Sequence, residues 1–383
     1  MRPEINGPSR DEPYDQELDP VYGSAAHAPQ IEPEPMPVPM PAPVAVPVPA
    51  PAPVPTPVPA VEPRRDPPEC AEPAPESVRD VPVLGPPQFS GAKPPLYAPD
   101  PAAAVAAGGD TEAALVPDTV LDGATVGRLT VRAGSVRGDA HRYHAEPRQD
   151  SLAVARLGAA DHELLLLAVA DGVGSARRSH AGSRTVCHEI VRQLEPLAGH
   201  LADLLRREDD KELTGLVNSA VGSAAESLAQ SAVGLGHRPD DYATTLRVLL
   251  VPVDPAVRTR AFFAVGDGGT LRLRDGGWAP VFPEEEQSGA EAGVIDTRTA
   301  ALPSTRYAQV RLIRDALPGD VVVLCTDGVS NPLAGDGGMR EFLRDAWAGG
   351  PPGLADFLWQ LQYRVKSYDD DRTAVCLWEG EHA

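Results

Sequence analysis

The sequence predicts an α+β domain, antiparallel sheets with helices packed outside, preceded by a long segment unable to build a core. Three observations carry this. Most of the 43 prolines lie in the first third of the 383 residues. The run Leu164-Leu-Leu-Leu-Ala-Val-Ala170, stopped by Asp171-Gly172-Val173-Gly174, reads as a strand buried on both faces. The order of patterns (strands, two helical stretches, strands, helices, a last strand) is not a regular βαβ alternation.

Residues 1–118 are expected as a disordered proline-rich region and residues 119–383 as the folded domain. In residues 35–59 proline alternates with Val, Ala and Met. Each proline removes a backbone donor and fixes φ, so neither helix nor ladder can form. A polyproline II stretch of this length would span on the order of 75 Å, at ~3.1 Å per residue. The plain reading is a stiff spacer; the sharper one is a ligand for a partner with a proline-reading groove. Nothing before Asp118 carries a catalytic pattern.

A net charge of −21 argues against a nucleic-acid partner, which needs a basic face. The four cysteines show no CxxC or Cys/His spacing, so zinc is not expected. Cys187, Cys325 and Cys376 fall in apolar patterns and read as small core residues. With neither a signal-peptide core nor a membrane span in view, a cytoplasmic protein without membrane partners is expected.

The first strand is read at residues 127–136. A second at 151–157 and the buried one at 164–170 suggest a hairpin through residues 158–162. Ala181, Val186, Ile190, Val191 and Leu194 share one helical face, as do Leu213, Val217, Ala220, Val221, Ala224 and Leu228. Strands at 243–253, 260–265, 270–274 and 278–282, separated by Gly266-Asp267-Gly268-Gly269 and Asp275-Gly276-Gly277, read as a meander. Residues 283–303 read as a polar loop. Strands at 307–313 and 320–325, a helix to Trp347, an amphipathic helix at 354–365 and a strand at 373–378 complete the chain.

Four acids stand beside predicted strand ends: Asp150, Asp171, Asp327 and Asp370. Asp240-Asp241 precede another strand. A lone Asp-Gly is most often a turn or an Asx cap, but four at strand ends suggest a shared purpose. Carboxylates brought together repel, and a hard divalent cation with oxygen ligands relieves that repulsion. No Walker loop, Rossmann glycine fingerprint or Gly-x-Ser-x-Gly elbow competes. Asp267 reads as part of a tight turn behind the site, and Arg177-Arg178 as a solvated helix start.

Taken in order, Arg148-Gln149-Asp150-Ser151, Ala168-Val169-Ala170-Asp171-Gly172-Val173-Gly174, Ala243-Thr244-Thr245-Leu246, Ala264-Val265-Gly266-Asp267, Cys325-Thr326-Asp327-Gly328-Val329 and Asp370-Asp371-Arg372-Thr373 resemble the motifs of the type-2C (PPM) metal-dependent serine/threonine protein phosphatases. The resemblance runs from about residue 120 to 383. It is to the compact bacterial branch, in which an Arg-Gly-x-x-His segment precedes the first metal acid.

The resemblance implies an α-β-β-α sandwich holding two Mn²⁺ or Mg²⁺ ions, with a weaker third. By position, Asp171 would bridge the two ions, the Gly172 carbonyl would ligate one, Asp150 would reach the cluster through water, and Asp327 and Asp370 would hold the other. Asp240, or Asp241 beside it, would hold the third ion with Asp327. A metal-activated water would attack phosphoserine or phosphothreonine of phosphorylated proteins, the products of serine/threonine kinases. The family's phosphate-holding arginine aligns with Ala145, leaving Arg142, Arg148 or His141 to replace it. Val173 stands where many members carry a proton-donating histidine, so solvent or His141 would protonate the leaving alkoxide. Asp371 replaces the usual asparagine. The alternative is a phosphatase-fold module without turnover, acting as a regulatory or binding protein whose tail docks partners.

Overall fold

The computed structural model describes residues 89–91, 93, 95–97, 111–159, 162–282 and 300–380. All lie in one compact unit, Asp80–Ala383. The proline stretch at 35–59, Cys70 and most of the 283–303 loop lie outside the described residues. Among the described residues, no helix is long and apolar enough to cross a membrane.

The chain forms β1 (Thr119–Val126), β2 (Leu129–Val136), α1 (Asp139–His144), β3 (Ser151–Leu157), β4 (Leu164–Ala170), α2 (Ser179–Leu194), α3 (Ala198–Arg207) and α4 (Asp210–Gly234). Next come β5 (Leu246–Pro252), β6 (Arg260–Val265), β7 (Gly269–Arg274), β8 (Gly277–Pro280), β9 (Gln309–Ile313) and β10 (Val321–Cys325). Helices α5 (Asp327–Gly335), α6 (Gly337–Trp347) and α7 (Leu354–Leu361) precede β11 (Arg372–Glu379).

Two antiparallel sheets result, in the order β9-β6-β5-β4-β3 and β1-β2-β11-β10-β7-β8. Strand β4 shows why its sequence has no polar position. Leu164, Leu166, Ala168 and Ala170 pack with Ile190, Val217 and Leu228 of the helix layer. Leu165, Leu167 and Val169 point the other way and meet Val131, Leu324 and Val375 of the second sheet. The far face of that second sheet, through Val323 and Cys376, packs under Met339, Leu343, Trp347 and Phe357 of α6 and α7. The layers are therefore helix, sheet, sheet, helix, the expected sandwich. Cys187, Cys325 and Cys376 are buried and free, as their apolar surroundings suggested.

Three expectations need correction. The first strand has a partner the sequence reading missed: β1 forms a hairpin with β2 across Gly127, whose φ of 55° suits the turn. The four strands from 243 to 282 are not one meander. The first two of them, β5 and β6, pair in one sheet, whereas β7 and β8 pair in the other. Gly266 and Gly268, at φ 85° and 116°, turn the chain between sheets. The helix expected to reach residue 365 stops at Leu361, and Arg364–Val365 instead pairs in parallel with Phe89–Ser90. Described residues before 119 also attach to this body. The Ser90 hydroxyl meets that of Tyr363 at 2.8 Å, Arg364 donates to the Tyr97 carbonyl, and Glu112 of the turn Thr111–Ala114 pairs with Arg178. These attachments are polar and short, so composition does not reveal them.

Candidate metal and phosphate site

The site follows from strand register. Ser151 pairs with Ala170, so Asp150 and Asp171 leave the β3–β4 ladder side by side at one end. Cys325 pairs with both Ala374 and Gly269, which brings Asp327, the Asp370-Asp371 pair and Asp267 to one end of the second sheet. Arg372 pairs with Val136, adding Gly138 and α1. The two ends meet at a cavity of about 190 Å³ lined by His141, Gln149, Asp171, Gly172, Val173, Gly174, Thr245, Asp267, Asp327 and Asp370.

Backbone contacts fix Asp171. Its N–H donates to Thr245 Oγ1 (3.0 Å), and its carbonyl accepts from the Thr245 N–H and the Thr244 hydroxyl, both at 2.8 Å. The Thr244-Thr245 pair noticed in the sequence is therefore a clamp on the strand end. The Asp171 and Asp327 carboxyls are hydrogen-bonding partners of each other. Burial, then the charges of Asp150, Asp327 and Asp370, push Asp171 up to about 11. Burial likewise raises Asp327, and burial followed by the charge of Asp371 raises Asp370.

Asp150 is only 2% exposed and does not line the cavity. It accepts from the Thr326 hydroxyl at 2.7 Å, and burial followed by the Asp371 charge holds its carboxyl well above the usual range. Asp240 is not brought to the cavity wall either. Its exposed carboxylate accepts from Arg238 and Ser304, both at 3.3 Å, while Asp241 caps Arg238. Asp267, read as a turn behind the site, lines the cavity instead.

The arginines expected to hold phosphate are turned elsewhere. Arg142 makes a two-pronged pair with Asp118 (2.9 and 2.7 Å) and reaches Asp139 at 3.5 Å. Arg148 is buried and donates to Ser135 Oγ (2.6 Å), to the Pro117 carbonyl (3.2 Å) and to the Asp150 carbonyl. No lysine or arginine among the described residues lines the cavity; His141 does. Its Nδ1 lies 2.8 Å from Asp371, and its Nε2 lies 3.8 Å from both Asp370 and Glu146. Burial alone would lower this imidazole, but the Asp371 hydrogen bond and charge, aided by Asp370 and Glu146, carry it up to about 9. Gln149 accepts from the Ser179 hydroxyl at 2.9 Å.

The donor set suits a hard divalent cation: four carboxylates and a glycine face one small cavity, several of them disfavoured as free anions by burial and one another. His141, Asp370 and Asp371 also have ligand atoms within 4.8 Å of one another. Two glycines make the approach possible. A Cβ on Gly328 would sit 1.9 Å from the Asp371 carbonyl oxygen, and one on Gly138 would sit 2.4 Å from the Asp370 carbonyl carbon.

Residues 137–352, more than half of the chain, match the family described as Protein phosphatase 2C. The chain belongs to the protein phosphatase 2C family. The matched stretch holds Asp150, Asp171 and Asp327 and ends before Asp370. A comparison with curated proteins finds no match. Among solved structures, the chain is similar to the catalytic domain of the serine/threonine protein phosphatase PstP in complex with two manganese ions. Identity is 22%, covering 66% of this chain and 99% of that one, with a TM-score of 0.42. It is also similar to the PPM Ser-Thr phosphatase MsPP from Mycobacterium smegmatis in complex with cacodylate (20% identity, 67% and 100% coverage, TM-score 0.42). A third similar structure is the S. agalactiae serine/threonine phosphatase (16%, 66% and 100%, TM-score 0.44).

Proposed function

We propose that this protein phosphatase 2C member hydrolyses phosphoserine and phosphothreonine in proteins, using two Mn²⁺ or Mg²⁺ ions. The observation that carries the reading is the convergence of Asp171, Asp327 and Asp370, from distant strand ends, on one cavity wall. These three carboxylates and the Gly172 carbonyl would hold the ions, with Asp150 supporting them from behind. When bound, such ions supply Lewis acidity and a water able to attack phosphorus at neutral pH.

The chain's own residues do the rest. The Thr244-Thr245 clamp aims Asp171, and the Thr326 hydroxyl fixes Asp150. His141 is the basic group on the cavity wall, so its Nε2 is the atom placed to hold a phosphate oxygen or protonate a leaving alkoxide. The substrates are phosphorylated proteins made by serine/threonine kinases. Three buried free thiols suit a reducing compartment such as the cytoplasm. A role for the tail in docking a proline-reading partner rests on composition alone.

One observation favours a second reading, a phosphatase-fold module that binds without turning over: no arginine or lysine among the described residues lines the cavity. Full-length protein assayed on p-nitrophenyl phosphate and a phosphothreonine peptide, with Mn²⁺ and then with chelator, separates the two. Mn²⁺-dependent phosphate release supports the enzyme. Calorimetric Mn²⁺ binding without release supports the module, and neither binding nor release defeats both.

A further inference from the structure

Asp371 stands where the family pattern commonly has asparagine, and its side chain is 2% exposed. Every partner of its carboxylate is a donor. Oδ1 accepts from the Gly138 N–H at 2.6 Å and faces His141 Nδ1 at 2.8 Å. Oδ2 accepts from the Gln149 N–H at 2.5 Å and the Asp150 N–H at 3.3 Å. One buried group therefore joins the start of α1, which carries His141, to the loop that ends in Asp150. Both are joined in turn to the β11 lead-in that carries Asp370. The missing side chain of Gly138 lets these backbones close up.

We propose that Asp371 is a positioning residue for the hydrolytic site, and that it must be a carboxylate rather than an amide. This rests on the phosphatase reading given above. A carboxylate accepts at both ends, whereas an amide accepts at one and donates at the other. Turned one way, an asparagine sets its NH₂ against the Gln149 and Asp150 N–H groups. Turned the other way, it meets the Gly138 N–H, and His141 can accept only by changing tautomer. Either orientation leaves a buried donor unpaired and loosens a segment that carries a site residue.

The test uses the full-length chain with Asp371→Asn and Asp371→Glu. Asparagine keeps the shape and loses an acceptor; glutamate keeps both acceptors and is longer. Three quantities are read: amide hydrogen exchange at residues 138 and 149 in metal-free protein, Mn²⁺ affinity by calorimetry, and kcat and KM on p-nitrophenyl phosphate at saturating Mn²⁺ well below the melting temperature. In Asp371→Asn the two amides should exchange at least ~10-fold faster, with Mn²⁺ affinity or kcat falling ~10–100-fold, as for other groups that orient metal ligands. Asp371→Glu should retain more of each than Asp371→Asn, the reverse of what a space-filling role predicts. Asparagine performing as well as or better than glutamate, or unchanged exchange at both amides, overturns the proposal. If Asp371→Asn does not fold, the glutamate variant decides: protected amides support the acceptor role and unprotected amides refute it. Should the wild type show no Mn²⁺-dependent turnover, the function fails while the exchange measurement still judges Asp371.

Discussion

The acids that face the cavity and the arginines around it lie close together in the fold but meet opposite fates. Asp171, Asp327 and Asp370 point at one another across about 190 Å³, and burial and mutual charge disfavour their ionised forms. Arg142, Arg148 and Arg178 each turn to an acceptor on the segment before β1: Asp118, the Pro117 carbonyl and Glu112. Negative charge is left concentrated where a cation can answer it, while nearby arginines are held by acceptors on the chain's own lead-in. Charged residues close together in a fold can thus face a site or serve the framework according to what reaches them first.

The sharpest way to break this contrast is to remove a cavity acid. Asp171→Asn should lower Mn²⁺-dependent turnover by at least ~100-fold. The melting temperature of the metal-free protein should change little, because burial and the neighbouring acids already keep the Asp171 carboxyl protonated at neutral pH. Retained activity, or a clear loss of metal-free stability, contradicts the assignment. Next in size is the effect of the ion itself. Mn²⁺ at ~100 times its dissociation constant should stabilise the wild type by about 2.7 kcal/mol, read as a rise in melting temperature. Asp327→Asn should abolish most of that rise.

The arginine side of the comparison predicts the opposite signature. Arg148→Met removes donors to Pro117, Ser135 and Asp150 and should cost ~2–3 kcal/mol of stability. At ~2–4 °C per kcal/mol, a scanning calorimeter would resolve this easily. Mn²⁺-dependent activity should fall less than in Asp171→Asn.

The smallest effect is expected at Asp118, where a 44% exposed side chain leaves the pair screened. Burial would raise this carboxyl, but the Arg142 hydrogen bond and charge hold it below its usual value. A depressed carboxylate contributes stability at pH above about 4 and loses it as pH falls through its folded value. Asp118→Asn should therefore lower stability by ~0.5 kcal/mol at pH 7 and by nothing measurable near pH 2. A loss that persists at pH 2 would mean that the pair's charge is not what matters.

The legible part of the site was local. Asp171 and Asp327 each follow an apolar run and precede glycine, a pattern visible without any partner. Asp267 and Asp371 were harder. Asp267 sat in what looked like a hairpin turn, and only the crossing from one sheet to the other puts it on the cavity wall. Asp371 looked like a departure from a motif; four donors from two distant segments explain it. The missed strand β1 is half-exposed along its length, so its apolar signal is weak.

By itself the sequence determined which strands are buried on both faces, where their acids lie, and that the proline stretch has too few backbone donors for regular structure. Those properties depend on neighbours a few residues away. The tertiary structure alone decided that strand ends of both sheets share one edge, that the crossing at Gly266 splits the expected meander, and that Arg142 and Arg148 face away from the cavity. Pairing register and charge neutralisation link groups scores of residues apart, and no local pattern records which partner arrives.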